Sequence, residues 1–179
     1  MMSKNEVAVL AGGCFWCTEA VFQRLKGVEL VKPGFSGGHI KNPAYKEVIT
    51  QSTGHAEVSY ITFNPSELSF NRLLEVFFAT HDPTTLNRQG GDVGTHYRSA
   101  IFYTTENQQK TANEFIEILT KEKVFKDPIV TEVTAFDAFY EAEDYHSDYY
   151  NQNSEQSFCK MVINPKIEKL EKYFKDDLM

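Results

Sequence analysis

The sequence predicts an α/β chain of the α+β kind. The expected architecture is a two-layer sandwich on a split β-α-β core, the ferredoxin-like arrangement, with further helices appended. Three observations lead there. Strand-like and helix-like segments alternate in the order β-α-β-β-α-β through the first 105 residues. One segment carries Phe70, Leu73, Leu74, Phe77 and Phe78 at a strict helical spacing. The chain has 179 residues, of which 41% are hydrophobic, and this suits one domain with a real core.

Each element has its own signal. Residues 6–12, EVAVLAG, read as a short buried strand that ends on glycine. Residues 14–25 read as a helix with Phe15, Ala20, Val21 and Leu25 toward one face. Residues 28–37 suggest a strand broken by Pro33–Gly34, which permits an edge or a bulge but not an unbroken central strand. Residues 57–63, EVSYITF, are the next strand, and the helical segment SFNRLLEVFFATHD (69–82) follows the turn at Asn64–Pro65. Residues 81–97 read as a long Gly-rich loop, and a loop of that length inside a compact domain is usually functional. Then come a strand (99–105), a helix (106–122) with Ala112, Phe115, Ile116 and Leu119 on one stripe, and a strand (129–136). YEAEDYHSDYY reads as a polar helix, NQNSEQS as a mobile loop, and 164–175 as a helix with Ile167, Leu170 and Phe174 inward.

Composition narrows the function classes. A net charge of −7 without any long Lys/Arg run argues against nucleic acid or an anionic membrane as partner. No stretch approaches the ~18 apolar residues of a membrane helix. The run after Lys4 is too short for the ~7–15-residue core of a signal peptide. Three cysteines, an odd number, fit a reducing compartment better than a disulfide framework, so the expected location is cytoplasmic.

The chemistry gathers at AGGCFWCTEAVF, residues 11–22. Cys14 falls at the first turn of a helix, where free N–H groups and the dipole favour an anion and lower a thiol pKa from ~8.5. Gly12–Gly13 lets the chain turn sharply before it. Other uses of the pair remain open at this level. Zinc wants about four N or S ligands, and here a single pair is present. The cysteines could be inert core residues. A thioredoxin-like CxxC oxidoreductase is a third reading, although the bulky Phe-Trp insert and the order of elements differ from that pattern. A redox-sensing switch built on three thiols is a fourth.

GGCFWCTEAVF resembles the nucleophile motif of the type A peptide methionine sulfoxide reductases. GFSGGHIKNPAYKEVITQSTGHAEVSYITF (34–63), HDPTTLNRQGGDVGTHYRSAIFY (81–103) and AEDYHSDYY (142–150) resemble further blocks of that family, in the same order. The likeness covers roughly residues 7–175 and implies one catalytic domain over 1–179, whose C-terminal extension carries the resolving cysteine. It implies reduction of the S epimer of methionine sulfoxide, free or in protein, since each enzyme of the pair takes one epimer. Cys14 is then the nucleophile, and Phe15 and Trp16 are the wall that holds the substrate methyl. Glu57 is the acid, Tyr45 and Tyr97 are hydroxyl donors to the sulfoxide oxygen, and Asp92 supports them through water. SFCKMVINPK resembles the block with the first recycling cysteine, so a Cys14–Cys159 disulfide is expected first, with Cys17 as a second relay. Thioredoxin or another dithiol is the implied electron donor, with no bound cofactor and no metal, in a monomer. Many relatives have Gly at the place of Cys17 and YHQ where this chain reads YHSD, which puts a supporting contact near Ser147 in question.

Elementary chemistry is compatible with those roles. A sulfoxide is a weak electrophile until its oxygen is protonated or strongly hydrogen-bonded, so the site needs a neutral acid and donors. Raising a carboxyl pKa from ~4.3 to ~7 takes about 3.7 kcal/mol, within reach of burial. By residue type alone, Glu57 is a solvated strand-end carboxylate, Tyr45 and Tyr97 are core tyrosines, and Asp92 is a turn residue. Glu141 and His146, five apart, read as a solvated helix face or at best as structural partners of the site.

Overall fold

The computed structural model describes residues 5–179. Its first half follows the expected order: β1 (Glu6–Gly12), α1 (Phe15–Phe22), β2 (Val28–Ser36), a single turn α2 (Tyr45–Val48), β3 (Ala56–Phe63) and α3 (Phe70–Thr80). A small hairpin, β4 (Arg88–Gln89) and β5 (Asp92–Val93), precedes β6 (Ser99–Tyr103) and α4 (Glu106–Lys121). The chain continues through β7 (Glu132–Ala135), β8 (Phe139–Glu141), α5 (Tyr149–Gln152) and α6 (Asn164–Tyr173). No helix among the described residues is long and apolar enough to cross a membrane.

The main sheet has the order β7-β6-β1-β3-β2-β8. Its four central strands are mutually antiparallel, as a split β-α-β core requires, and β7 joins β6 in parallel after the α4 crossover. Strand alternation divides the side chains. Ala8, Leu10, Ile61 and Phe63 face the helices and pack on Phe22, Leu73, Leu74 and Phe77. Val9, Ala11, Ala56, Val58, Ala100 and Phe102 face the other way and are also buried.

The second face is buried because the sheet curls. Laid flat, six strands would hold β7 and β8 about 24 Å apart at ~4.8 Å per strand. The link from Ala135 to Phe139 is four residue steps and reaches about 14 Å at most. The two edges must therefore approach. Phe136 and Phe139 then close the concave face over Tyr60, and Ser36 Oγ donates to Ala138 O at 2.6 Å. Small residues such as Ala11, Ala56 and Ala100 fit the tight interior.

Local chemistry sets the remaining boundaries. Ser69 caps α3 by accepting Arg72 N–H, and Thr105 caps α4 by accepting Gln108 N–H. Strand β2 has a bulge between Val28 and Leu30, and β8 pairs only with Gly34–Ser36, beyond Pro33. Three expectations need correction. β2 is not broken at Pro33–Gly34 and is not an edge: it pairs with β3 through both residues and carries β8 on its other side. Residues 81–97 are not a structureless loop, since the β4–β5 hairpin and a turn at Thr95–Tyr97 organise them. The segment read as a polar helix is instead β8, a tight turn at Asp144–His146 and the single-turn α5. Its side chains alternate and insert aromatic rings, which a helical period cannot do.

Gly34 tests the closure. A Cβ there would lie 2.4 Å from both the Phe139 ring and Tyr140 O. Gly34→Ala should lower stability by about 1–3 kcal/mol through overpacking, seen as a lower urea midpoint with unchanged m.

Candidate active site

The site forms where β1 passes into α1. Gly13 makes the turn at φ +93, a left-handed conformation, and any Cβ there would come within 2.6 Å of the Gln89 side chain. Cys14 is the N-cap of α1, and its carbonyl accepts Cys17 N–H at 3.0 Å. Seven of the eight residues of α1 are buried, so the helix sits between β2, β3, α5 and α6 rather than on the surface. Thr18, on the sheet side, shares a 2.7 Å hydroxyl contact with Ser59.

Strand alternation turns Glu57 to the same side as Ser59, beneath the α1 N-terminus. Its Oε1 accepts the Phe15 N–H at 3.1 Å, while Oε2 is buried with no hydrogen-bond partner among the described residues. Glu57 is 1% exposed. Burial pushes its pKa up to about 8, opposed by the Phe15 N–H and reinforced by the charges of Asp92 and Cys17. At neutral pH Glu57 is therefore a neutral acid with one oxygen committed and one free.

Tyr45, Tyr97 and Asp92 converge on it. Burial, then the Glu57 and Cys14 charges, raise the phenol pKa of Tyr45, and the Tyr97 hydroxyl interacts with it. Tyr97 is raised first by burial, then by Glu57, Tyr45, Cys14 and Asp92. Both stay protonated donors across the physiological range. Asp92, on β5, is raised by burial. The hairpin in residues 81–97 thus delivers Asp92 and Tyr97 together. The backbone N–H of Tyr45 is held by the Glu143 carboxylate at 3.2 Å.

Cys14 departs from expectation. Burial, followed by Cys17 and Glu57, pushes its thiol well above the ordinary range, where the helix terminus alone would lower it. The Trp16 backbone N–H pulls it down, but burial outweighs it. Cys17, one turn on, is lowered by its hydrogen bond with Cys14, against burial, with further help from the Lys166 charge and opposition from Asp92. Cys159 is fully buried at a π-helical turn, Cys159–Ile163, and shares one apolar cluster with Cys14 and Cys17. Its thiol is raised by burial and then by the Cys17 charge. All three are free thiols.

Phe15 is 1% exposed and packs on Phe35, Tyr45 and His146, whereas Trp16 is half-buried. Trp16 lies flat on Tyr149, with ring centroids 3.7 Å apart and planes 8° apart, and its indole N–H donates to His146 Nδ1 at 3.0 Å. His146 is not on a solvated face. It is fully buried, touches Phe15, Trp16, Tyr45 and Tyr145, and burial lowers its pKa. Nδ1 accepts, so the proton sits on Nε2, which has no partner among the described residues. Glu141 is exposed at the end of β8, and Ser147 is exposed, its backbone N–H bonded to Asp144 O.

Sequence reasoning missed three contributors. Tyr149 stacks on Trp16, and Glu19 is buried, pushed up to about 7 by burial, and accepts Asp148 N–H at 3.0 Å. Lys166 is the third. The available signal was the density of rings in DYHSDYY, too many for a solvated helix face.

Comparison with known proteins agrees with this geometry. A family model described as peptide methionine sulfoxide reductase matches residues 6–178. The Sulfolobus acidocaldarius protein named peptide methionine sulfoxide reductase MsrA is 57% identical over 171 residues, 96% of each chain. The reduced form of Mxr1 from Saccharomyces cerevisiae superposes with a TM-score of 0.79 at 32% identity, over 87% of this chain and 90% of that one. Mxr1 has also been solved in complex with Trx2. There the likeness, at 23% identity and a TM-score of 0.56 over 82% and 85% of the chains, is one of fold.

The chain has a single tryptophan, so its fluorescence reports on the site. His146→Phe leaves the buried indole N–H unpaired and should cost about 1–3 kcal/mol of stability. Trp16 emission should shift in the folded variant, and a spectrum identical to wild type would contradict the contact.

Proposed function

Because the chain belongs to the peptide methionine sulfoxide reductase family, we propose that Cys14 reduces the S epimer of methionine sulfoxide with Glu57 as general acid. The observation that carries this reading is the neutral buried Glu57, tied by one oxygen to the N–H of the residue after Cys14 and left with an unpartnered Oε2. Phe15 and Trp16 form the wall for the methyl group, and Tyr45 and Tyr97 donate to the sulfoxide oxygen with Asp92 behind them.

The steps balance as follows. The Cys14 sulfur attacks the sulfoxide sulfur, and Glu57 gives its proton to the oxygen. The oxygen passes to Cys14 as a sulfenic acid, methionine leaves as the sulfide, and the Cys14 thiol proton replaces the one lost by Glu57. A second thiol then attacks the Cys14 sulfur, the S–O bond breaks, and the oxygen leaves as water. We place Cys17 first in this step and Cys159 second, the reverse of the order implied by resemblance. Cys17 adjoins Cys14 at a separation of three residues, whose Cβ atoms stand about 5–6 Å apart, near disulfide reach. Cys159 then exchanges onto Cys17 and frees Cys14. A dithiol such as thioredoxin reduces the final disulfide by exchange. The physiological setting is repair of oxidised methionine in a reducing compartment.

Fully reduced protein mixed with excess racemic N-acetyl-methionine sulfoxide, without added reductant, should release about two equivalents of sulfide, from the S epimer only, the second from the Cys14 that exchange onto Cys159 sets free. Cys14→Ser should release none, and Cys17→Ser should still release the first equivalent. Sulfide from the R epimer, or none from wild type, would overturn the assignment.

Glu57→Gln should slow that first release by 10²–10⁴-fold. The same variant carries a sign test. Glu57 ionises near 4.5 when unfolded and at about 8 when folded. Its contribution to stability is complete below 4.5 and is lost as pH rises toward and through 8. Glu57→Gln, which cannot ionise, should therefore gain stability relative to wild type from pH 5 to pH 8 in urea titrations.

A further inference from the structure

Trp16 is gripped by a single stretch of chain. Tyr149 stacks on its ring at 3.7 Å, His146 Nδ1 accepts its indole N–H at 3.0 Å, and Phe158 meets it edge-on with centroids 5.9 Å apart. These three partners belong neither to the sheet nor to α1. The wall for the substrate methyl is therefore only as well placed as the 146–158 segment behind it.

A buried carboxyl fastens that segment to the helix. Glu19 lies three residues after Trp16, so the two side chains are neighbours along one side of α1. It is 2% exposed, and its Oε2 accepts the Asp148 N–H at 3.0 Å. Asp148 holds φ +56, a left-handed conformation that persists in a residue with a Cβ only where its surroundings impose it. Tyr149 follows directly, so the residue that Glu19 holds sets the direction of the stacking ring. Other ties act further along the segment. Arg24 donates to Asn151 Oδ1 at 2.8 Å and lies over the Tyr150 ring, and the Tyr150 hydroxyl bonds to Asn164.

We propose that Glu19 is the positioning residue of the substrate wall: its buried carboxyl holds the backbone at Asp148, so that the Tyr149 ring clamps Trp16 where the substrate methyl must rest. The inference rests on the reading that Trp16 forms this wall and goes beyond it by naming what holds Trp16 there.

The chemistry of the carboxyl agrees. An apolar side chain would fill the same space without the desolvation cost of a carboxyl, so what Glu19 adds is an acceptor. Burial pushes its pKa up to about 7, and the N–H groups of Asp148 and then Tyr149 pull it back. The acid of the reaction is held separately, by the Phe15 N–H on the sheet side of the helix. Loss of the Glu19 grip should therefore weaken substrate binding and leave the chemical step alone. That split appears as a higher half-saturating concentration with an unchanged maximal rate.

The experiment measures the rate of first sulfide release at pH 7 against the concentration of N-acetyl-methionine sulfoxide, without added reductant, together with Trp16 emission and its quenching by acrylamide. Wild type, Glu19→Gln, Glu19→Met, Glu19→Asp, Tyr149→Leu, Trp16→Leu and the double variant Glu19→Met/Tyr149→Leu are compared. Glu19→Met keeps the size and loses the acceptor. Glu19→Asp keeps the carboxyl but falls short of Asp148 by one bond, about 1.5 Å, and it decides the matter if Met does not fold.

Half-saturation should rise about tenfold in Met and Asp, the worth of a hydrogen bond to a charged group, with the maximal rate within about twofold of wild type. Trp16 emission should shift to the red and become more quenchable in both. Gln keeps an acceptor oxygen and should stay within about threefold of wild type. The double variant should be no weaker than the weaker single one, since both changes release the same ring. Unchanged half-saturation in Met and Asp, a fall in maximal rate in its place, a Gln variant as weak as Met, or single effects that multiply in the double variant would each overturn the role of Glu19. If Trp16→Leu keeps wild-type half-saturation while Glu19→Met still shifts Trp16 emission, Trp16 is not the wall, and the underlying reading fails instead.

Discussion

The hydrogen bond from Phe15 N–H to Glu57, at 3.1 Å, joins the first turn of α1 to β3, and the chemistry of the site follows from it. A helix N-terminus prefers an anion, and a carboxylate there would ordinarily be stabilised. Burial outweighs that preference and leaves the carboxyl protonated to about pH 8. The group then satisfies one orphan donor of the helix with one oxygen and keeps the other free. Burial also pushes the Cys14 thiol up, while its hydrogen bond with Cys14 lowers Cys17, one turn on.

A helix that carries a nucleophile at its cap and a second thiol inside must be enclosed nearly all round. α1 achieves this with apolar and small residues against the sheet and with C-terminal segments over its outer face. Those segments are fastened by specific contacts rather than by general apolar burial. Trp16 stacks on Tyr149 and bonds to His146, while the buried Glu19 holds the backbone at Asp148, which sits at φ +56. The aromatic wall is thereby fixed from behind. Cys159 lies in the same packed layer, close to Cys17.

Much of the fold was legible in the sequence. The apolar stripe of α3, the alternation in β3 and the order β-α-β-β-α-β follow from periodicities that local sterics and burial impose on any chain. The curl of the sheet was not legible, since it comes from a four-step link between opposite edges whose strand order is a long-range property. The segment around His146 was misread for a related reason. Its carboxylates Glu141, Glu143 and Asp144 are on the surface and His146 is inside, and only packing against α1 and α2 separates them.

The sequence by itself determined the local chemistry: a cysteine just after a flexible Gly-Gly turn at a helix start, a second thiol three residues on, and a family motif naming Glu57, Tyr45, Tyr97 and Asp92. Tertiary structure decided which protons these groups keep. Ionisation depends on desolvation and on charges brought from distant segments, such as Asp92, which acts on Glu57 from a separate hairpin. Residue type sets the starting pKa, and the low dielectric of the packed interior sets the direction in which it moves.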